Sequence, residues 1–234
     1  MATQAADETI DLTVSSLREL NRRLHDAGRD AGLPRRYRVV NPGGMHNVAV
    51  GLEGDLEVEI DGHVGYYCGG MNEGATVHVR GNAGQGLAEN IMSGAVIVDG
   101  NASQSAAATG RGGLVVIHGD ASSRCGISMK GVDIVVRGSI GHMSAFMAQR
   151  GRLVVCGDAG DALGDSIYEA RIYVRGTVRG LGADCVEKDM RDEHTAELRE
   201  LLEAAGIDHD PTEFRRYGSA RQLYNFSIDN AGSY

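Results

Sequence analysis

Four cysteines, eight histidines and a short run of hydroxyl residues are the groups in this chain with chemistry to offer, so their spacing comes first. Cys68, Cys125, Cys156 and Cys185 form no C-x-x-C pair, the spacing that announces zinc or an iron–sulfur cluster. His63, His78, His118 and His142 do not recur at a common interval, whereas a metal site needs its ligands to converge. Ser103, Ser105 and Thr109 lie close together, but no histidine or acid can be assigned to them as a base, and they read as polar turn residues. Gly81-x-x-Gly84-x-Gly86 resembles a dinucleotide loop, yet the third glycine of that pattern falls on Glu89 and no strand–helix–strand unit follows. There is no Walker sequence, no H-E-x-x-H and no G-x-S-x-G. We therefore assign no catalytic, cofactor-binding or metal-ligating residue.

Two polar, methionine-bearing patches remain, Cys68–Glu73 (CGGMNE) and Glu89–Ser93 (ENIMS). Methionine fills irregular core gaps, and it also serves adaptable contact surfaces. The second reading makes Met71, Asn72, Asn90 and Met92 a contact or conduit face for a partner; the first makes them core and corner residues.

The elements that position these groups follow from a column of glycines. Gly62, Gly81, Gly100, Gly119, Gly138, Gly157 and Gly176 stand 19 residues apart without slippage. A fixed period of this length marks a solenoid, whose coils bury their apolar faces only against each other. Four residues before each glycine come Val58, Val77, Val96, Val115, Ile134, Leu153 and Ile172. Two residues before it come Ile60, Val79, Val98, Ile117, Val136, Val155 and Val174. That alternation predicts a strand with one face inward. Two residues after the glycine, Val64, Ala83, Ala102, Ala121, Ile140, Ala159 and Val178 form a second inward column. Each glycine is expected to turn a corner at positive φ, followed by turn-forming His63, Asn82, Asn101, Asp120, Ser139, Asp158 and Thr177. The fold class is all-β: a right-handed parallel β-helix of about seven coils, with strands near 4.8 Å apart and a height of about 34 Å.

Three regions follow. Residues 1–36 read as an N-terminal helical arm, 37–184 as the β-helix, and 185–234 as a C-terminal helix with an aromatic tail. The first ten residues read as unstructured. Residues 16–27 carry a helix with a Ser16/Glu19 capping box, an apolar face of Leu17, Leu20 and Leu24, and Gly28 as its stop. Tyr37–Val40 reads as a strand, and Asn41–Gly54 as an irregular cap over the open end. Residues 192–205 form a second amphipathic helix, stopped by Gly206. The tail holds Phe214, Tyr217, Tyr224, Phe226 and Tyr234, interleaved with Arg215, Arg216 and Arg221. Aromatic and arginine enrichment is typical of interface cores. Phe214, Arg215, Tyr217, Arg221, Tyr224 and Phe226 are thus candidates for docking a partner, or for capping the solenoid.

Composition narrows the classes. The absence of Trp and an aromatic content of 5% suit a thin core of stacked aliphatics. A net charge of −9 argues against nucleic acid, whose binding relies on clustered cations. No stretch is long and apolar enough for a membrane span, and Met1–Glu8 has no signal-peptide apolar core, so a cytoplasmic location is expected. Cys68 and Cys125, three periods apart in one column, are too distant for a disulfide.

A resemblance adds to this reading. The coils Gly62-x-x-Gly65-x-x-x-Gly69 and Gly157-x-x-Gly160-x-x-x-Gly164 resemble the GXGXG domain that closes the large subunit of glutamate synthase and that also occurs within formylmethanofuran dehydrogenase. The stretches NPGGMHNVAVGLEG, GVDIVVRGSIGHMSAFMAQ and GDAGDALGDSIYEARIYVRG resemble the free-standing β-helix subunit of complexes such as N-methylglutamate synthase. The likeness covers roughly residues 12–230; Ala88, Ser122, Ala145 and Arg179 replace motif glycines. It implies a non-catalytic scaffold, with no cofactor in this chain. The expected partners are a class II glutamine amidotransferase-like subunit and an FMN and iron–sulfur subunit like the synthase barrel. Ala2 leaves no N-terminal cysteine nucleophile expected here. Rival classes are a carbohydrate-active β-helix enzyme, for which no carboxylate cluster is visible, and a self-assembling structural solenoid.

Overall fold

A computed structural model describes residues 8–221. It contains the strands β1 (Glu8–Asp11), β2 (Arg36–Val40), β3 (Glu57–Asp61), β4 (Glu73–Val79), β5 (Ser93–Val98), β6 (Leu114–Ile117), β7 (Lys130–Val136), β8 (Arg150–Val155), β9 (Arg171–Val174), β10 (Cys185–Lys188) and β11 (Arg215–Ser219). Two helices flank the coils, α1 (Leu17–Arg29) and α2 (Asp192–Ala204). All eleven strands belong to one sheet, ordered β1-β2-β3-β4-β5-β6-β7-β8-β9-β11-β10. From β3 to β9 every neighbour is parallel and its register follows the glycine period: Val58 faces Val77, Val96 faces Val115, and Leu153 faces Ile172. Single bridges join Val64 to Ala83, Ala83 to Ala102, and so on to Val178, forming the second inward column. The chain is a right-handed parallel β-helix of about seven turns. Its aliphatic columns are buried in one continuous core.

The corner glycines are required for a reason other than the expected one. Only Gly62, at φ +134°, lies on the positive side; the other six corners do not. What excludes a side chain is the coil behind. A Cβ on Gly119 would lie 2.2 Å from Asn101 Oδ1 and 2.7 Å from the Gly100 carbonyl oxygen. The side chain that crowds it is one rung of a ladder. His63 Nδ1 accepts the Asn82 N–H at 2.9 Å, and Asn82 Oδ1 accepts that of Asn101 at 2.8 Å. Asn101, Asp120, Ser139 and Asp158 carry the pattern on to the Thr177 N–H. Six backbone donors at the corners are thereby satisfied by the preceding coil.

The N-terminal end departs from expectation in three places. Residues 8–11 are not unstructured: they form β1, which pairs in parallel with β2. Asn41–Gly54 is not an irregular cap but the body of a first coil, since β2 pairs with β3 and the N–H groups of Gly44 and Gly51 reach the His63 and Gly70 carbonyls. It escapes the period because Arg36 pairs with Glu57, two residues beyond the repeat. Helix α1 does the capping. Ser16 Oγ accepts the Glu19 N–H at 3.2 Å, and Leu20, Leu24 and Ala27 enter the solenoid core. Gly28 lies inside α1, and the helix ends at Asp30; a Cβ on Gly28 would meet the Glu53 carbonyl oxygen at 2.2 Å. Close packing on the first coil, not chain termination, explains that glycine.

At the other end β11 inserts antiparallel between β9 and β10, and β10 becomes the edge strand. Helix α2 stops in a Schellman turn, with Gly206 at φ +67° and the Ile207 N–H on the Leu202 carbonyl. Its apolar side, Leu198, Leu201 and Leu202, lies on the outer face of the sheet against Val116, Val135, Val154 and Tyr173.

Candidate functional site

Beyond each glycine corner the chain makes a broad turn that carries both methionine patches, and its backbone is unusual. In one column Met71, Asn90, Thr109, Ser128, Met147 and Ser166 all hold φ between 52° and 58°. The left-handed region costs a non-glycine residue on the order of 1 kcal/mol. Inter-coil hydrogen bonds offset this cost. The Met71, Asn90 and Thr109 N–H groups donate forward to the Glu89, Ala108 and Ile127 carbonyls, while the Ala88 and Ala107 N–H groups donate back to Cys68 and Leu87. The turn thus bonds in both directions along the axis.

The candidate face splits. Met71 is 55% exposed, Met92 is exposed, and Asn90 stands outside accepting from Thr109 Oγ1 at 2.6 Å. Asn72 is fully buried instead. Its Nδ2 donates to the Ala75 carbonyl at 2.6 Å and to that of Ser93 at 3.1 Å, which braces the chain entering β4 against the next coil. Its Oδ1 has no partner among the described residues. Tyr66 and Tyr67 join the exposed residues of this face, Tyr66 stacking on His46 with ring centroids 4.3 Å apart. Sequence reasoning passed over this pair. The available signal was a Tyr-Tyr step where the following coils place Gln85-Gly86 and Gln104-Ser105.

The tail candidates divide as well. Phe214 is 3% and Tyr217 is 2% exposed; Tyr217 packs into the solenoid core, while Phe214 packs into the outer-face cluster with Leu198 and Leu202 of α2. Arg215 is exposed, lies over the Tyr217 ring at 6.0 Å and donates to the Gly176 carbonyl at 2.9 Å. Arg221 is exposed beside Glu169 at 3.4 Å. Tyr224 and Phe226 lie outside the described residues.

The groups with intrinsic reactivity are quiet. All four cysteines are buried and free. Burial pushes the Cys68, Cys125 and Cys185 thiols up to about 12 and Cys156 up to about 11, far from the thiolate that nucleophilic chemistry needs. His78 Nε2 lies 2.7 Å from Asp99, and Arg80 pairs with Glu59 at 3.0 Å, on the solvated outer face. Among the described residues no three His, Cys, Asp or Glu side chains gather into a metal site, and no helix is long and apolar enough to cross a membrane.

Fold and faces together define a capped parallel β-helix whose outward-facing turn column, not an enclosed cavity, is its most distinctive surface. The chain is similar to Protein GlxC of Rhizobium meliloti (strain 1021), at 63% identity over 226 residues, which is 96% of this chain and 99% of that protein. It belongs to the GlxC family. No protein-family model matches the chain. No solved structure matches it.

Proposed function

We propose that this protein is the non-catalytic β-helix scaffold subunit of a glutamate-synthase-like complex, of the N-methylglutamate synthase type, which joins methylamine to glutamate and releases ammonia. The observation that carries the reading is the turn face. It is a rigid surface bonded coil to coil, from which Met71, Met92 and Tyr66 project. Exposed methionine and tyrosine on a stiff support are what a partner protein packs against. The resemblance of NPGGMHNVAVGLEG and its companion stretches to the free-standing β-helix subunit supplies the class of complex. In this assignment the amidotransferase-like and the FMN and iron–sulfur subunits do the chemistry, and this chain holds them and forms one wall of an amine conduit. Helix α1 covers the core at one end, and at the other the antiparallel β11 and β10 break the parallel coil pattern, which speaks against end-to-end self-assembly.

The test is reconstitution. The purified chain should bring no flavin, iron or glutaminase activity, and should co-elute with the two partner subunits. Met71→Glu with Met92→Glu, both at exposed sites, should leave the fold intact and abolish co-elution. Normal assembly by that variant would remove the turn face from the interface, and amine transfer by the isolated chain would end the scaffold reading. Deleting residues 222–234 tests Tyr224 and Phe226 without touching the buried Phe214 and Tyr217.

A further inference from the structure

The C-terminal cap concentrates positive charge in a chain whose net charge is −9. A cleft of about 310 Å³ opens between β9, β10, the start of α2 and β11, and five cations line it: Arg171, Lys188, Arg191, Arg216 and Arg221. Only Glu169 and Glu193 among its lining residues are acidic. Both are taken, Glu169 by Arg221 and Glu193 by Arg191, each at 3.4 Å. Arg171 is held by Glu197 at 2.6 Å. Lys188 and Arg216 form no close ion pair among the described residues, although the Asp189 carboxylate acts on Arg216 through space.

Arg216 is the informative member. Its Nε and Nη2 both donate to the Asp189 carbonyl, at 3.0 and 2.8 Å, which fixes the guanidinium plane at the cleft. Burial holds it below its ordinary range, with the charges of Arg191 and Arg171 adding to that and Tyr173 and Asp189 only partly opposing it. A half-buried cation among like charges destabilises the fold unless something negative comes to it. The cap residues make this arrangement necessary only in part, because Arg216 reaches Asp189 through a carbonyl that a neutral donor would satisfy equally well.

We infer that this cleft is a binding site for a small carboxylate- or phosphate-bearing anion, seated between Lys188 and Arg216. The planar fork of arginine and the point charge of lysine are the pair that recognises such groups. The volume is at the lower end for ligand pockets, which suits a small metabolite. The site is independent of the scaffold reading.

Calorimetric titration of the full chain with inorganic phosphate, and separately with succinate, tests it at constant ionic strength set by chloride. Saturable binding of at least one anion is expected, weakened roughly tenfold or more in Arg216→Gln and in Lys188→Gln. Binding of only one anion sustains the site and names its chemistry. Thermal melting checks that the variants fold, and Lys188→Gln, which removes no hydrogen bond of the cap, carries the test if Arg216→Gln does not fold. No saturable heat with either anion, or wild-type affinity in Lys188→Gln, would overturn the assignment.

Discussion

One outward column of the sheet does two jobs. In the first coils it reads Glu59 and His78, both partly exposed, Glu59 paired with Arg80 and His78 hydrogen-bonded to Asp99. From the third coil on it reads Ile97, Val116, Val135, Val154 and Tyr173, and α2 covers it. The inward columns scarcely change between the two halves. The repeat therefore governs the interior, where every coil meets the same neighbours, while the outer face is free to vary. Cover is encoded there: a residue type that stays polar marks open surface, and a switch to aliphatics marks where the chain returns.

The largest effect should come from what both halves share. Gly119→Val drives a branched side chain into Asn101 and the Gly100 backbone, with no room to yield. A loss of about 3 kcal/mol or more is expected, a fall in melting temperature of roughly 6–12 °C. Unchanged melting would mean that the coils do not approach as closely as the ladder requires.

Leu198→Ala separates the halves. Leu198 is fully buried between α2 and the sheet, so the truncation should cost about 2–4 kcal/mol. Amide exchange should quicken in α2 and in the outer residues it covers before it does so in β3 and β4. Uniform acceleration along the whole solenoid would show that the two cores melt as one.

Acid should act next, again on the covered half. Burial, reinforced by the Arg216 charge, holds His194 below the ordinary histidine value of 6.5. A histidine with a depressed folded pKa takes up its proton more readily once unfolded. Its contribution is therefore complete above pH 6.5 and is lost as pH falls below that value toward the folded pKa. His118, lowered chiefly by burial, works in the same direction. Melting at about pH 7.5 and about pH 5.5 should show the decline, and His194→Gln should shrink it; an undiminished decline would assign the effect to other groups.

The smallest effect belongs to the open half. Arg80 links Glu59 and Asp99 through side chains about a third exposed, so Arg80→Ala should cost at most about 1 kcal/mol, less in high salt. A larger, salt-insensitive loss would mean that this face is built for stability as much as the covered one.

The contrast also shows which parts of the molecule were legible in the sequence. The strand columns were, because identical neighbours every 19 residues leave a periodic trace. The first coil was not, since Arg36 pairs with Glu57 outside the period, and neither was β1, a short polar strand defined only by its distant partner β2. The aliphatic switch from His78 to Ile97 was present in the same period, three residues before each glycine, and passed unused. Of the candidate face, Met71, Asn90 and Met92 are exposed, whereas Asn72 is buried. Polarity alone does not say which way a side chain points when alternate residues take the left-handed conformation. Phe214 and Tyr217 show the complementary limit: both are aromatic rings of one tail, and only the fold sends Tyr217 into the solenoid core and Phe214 into the cluster beneath α2.

The rung-by-rung ladder from His63 to Thr177 has a mechanical consequence. Each rung is closed by the coil after it, so a pulled solenoid should give way like a zipper from an end, where a coil has a neighbour on one side only. Here α1 plugs one end, and at the other β11 is clamped between β9 and β10, so neither end coil is free to start the zipper. Under load the threshold for rupture is set by these two fasteners, and once either lets go the remaining coils should detach at nearly equal force, one sawtooth for each.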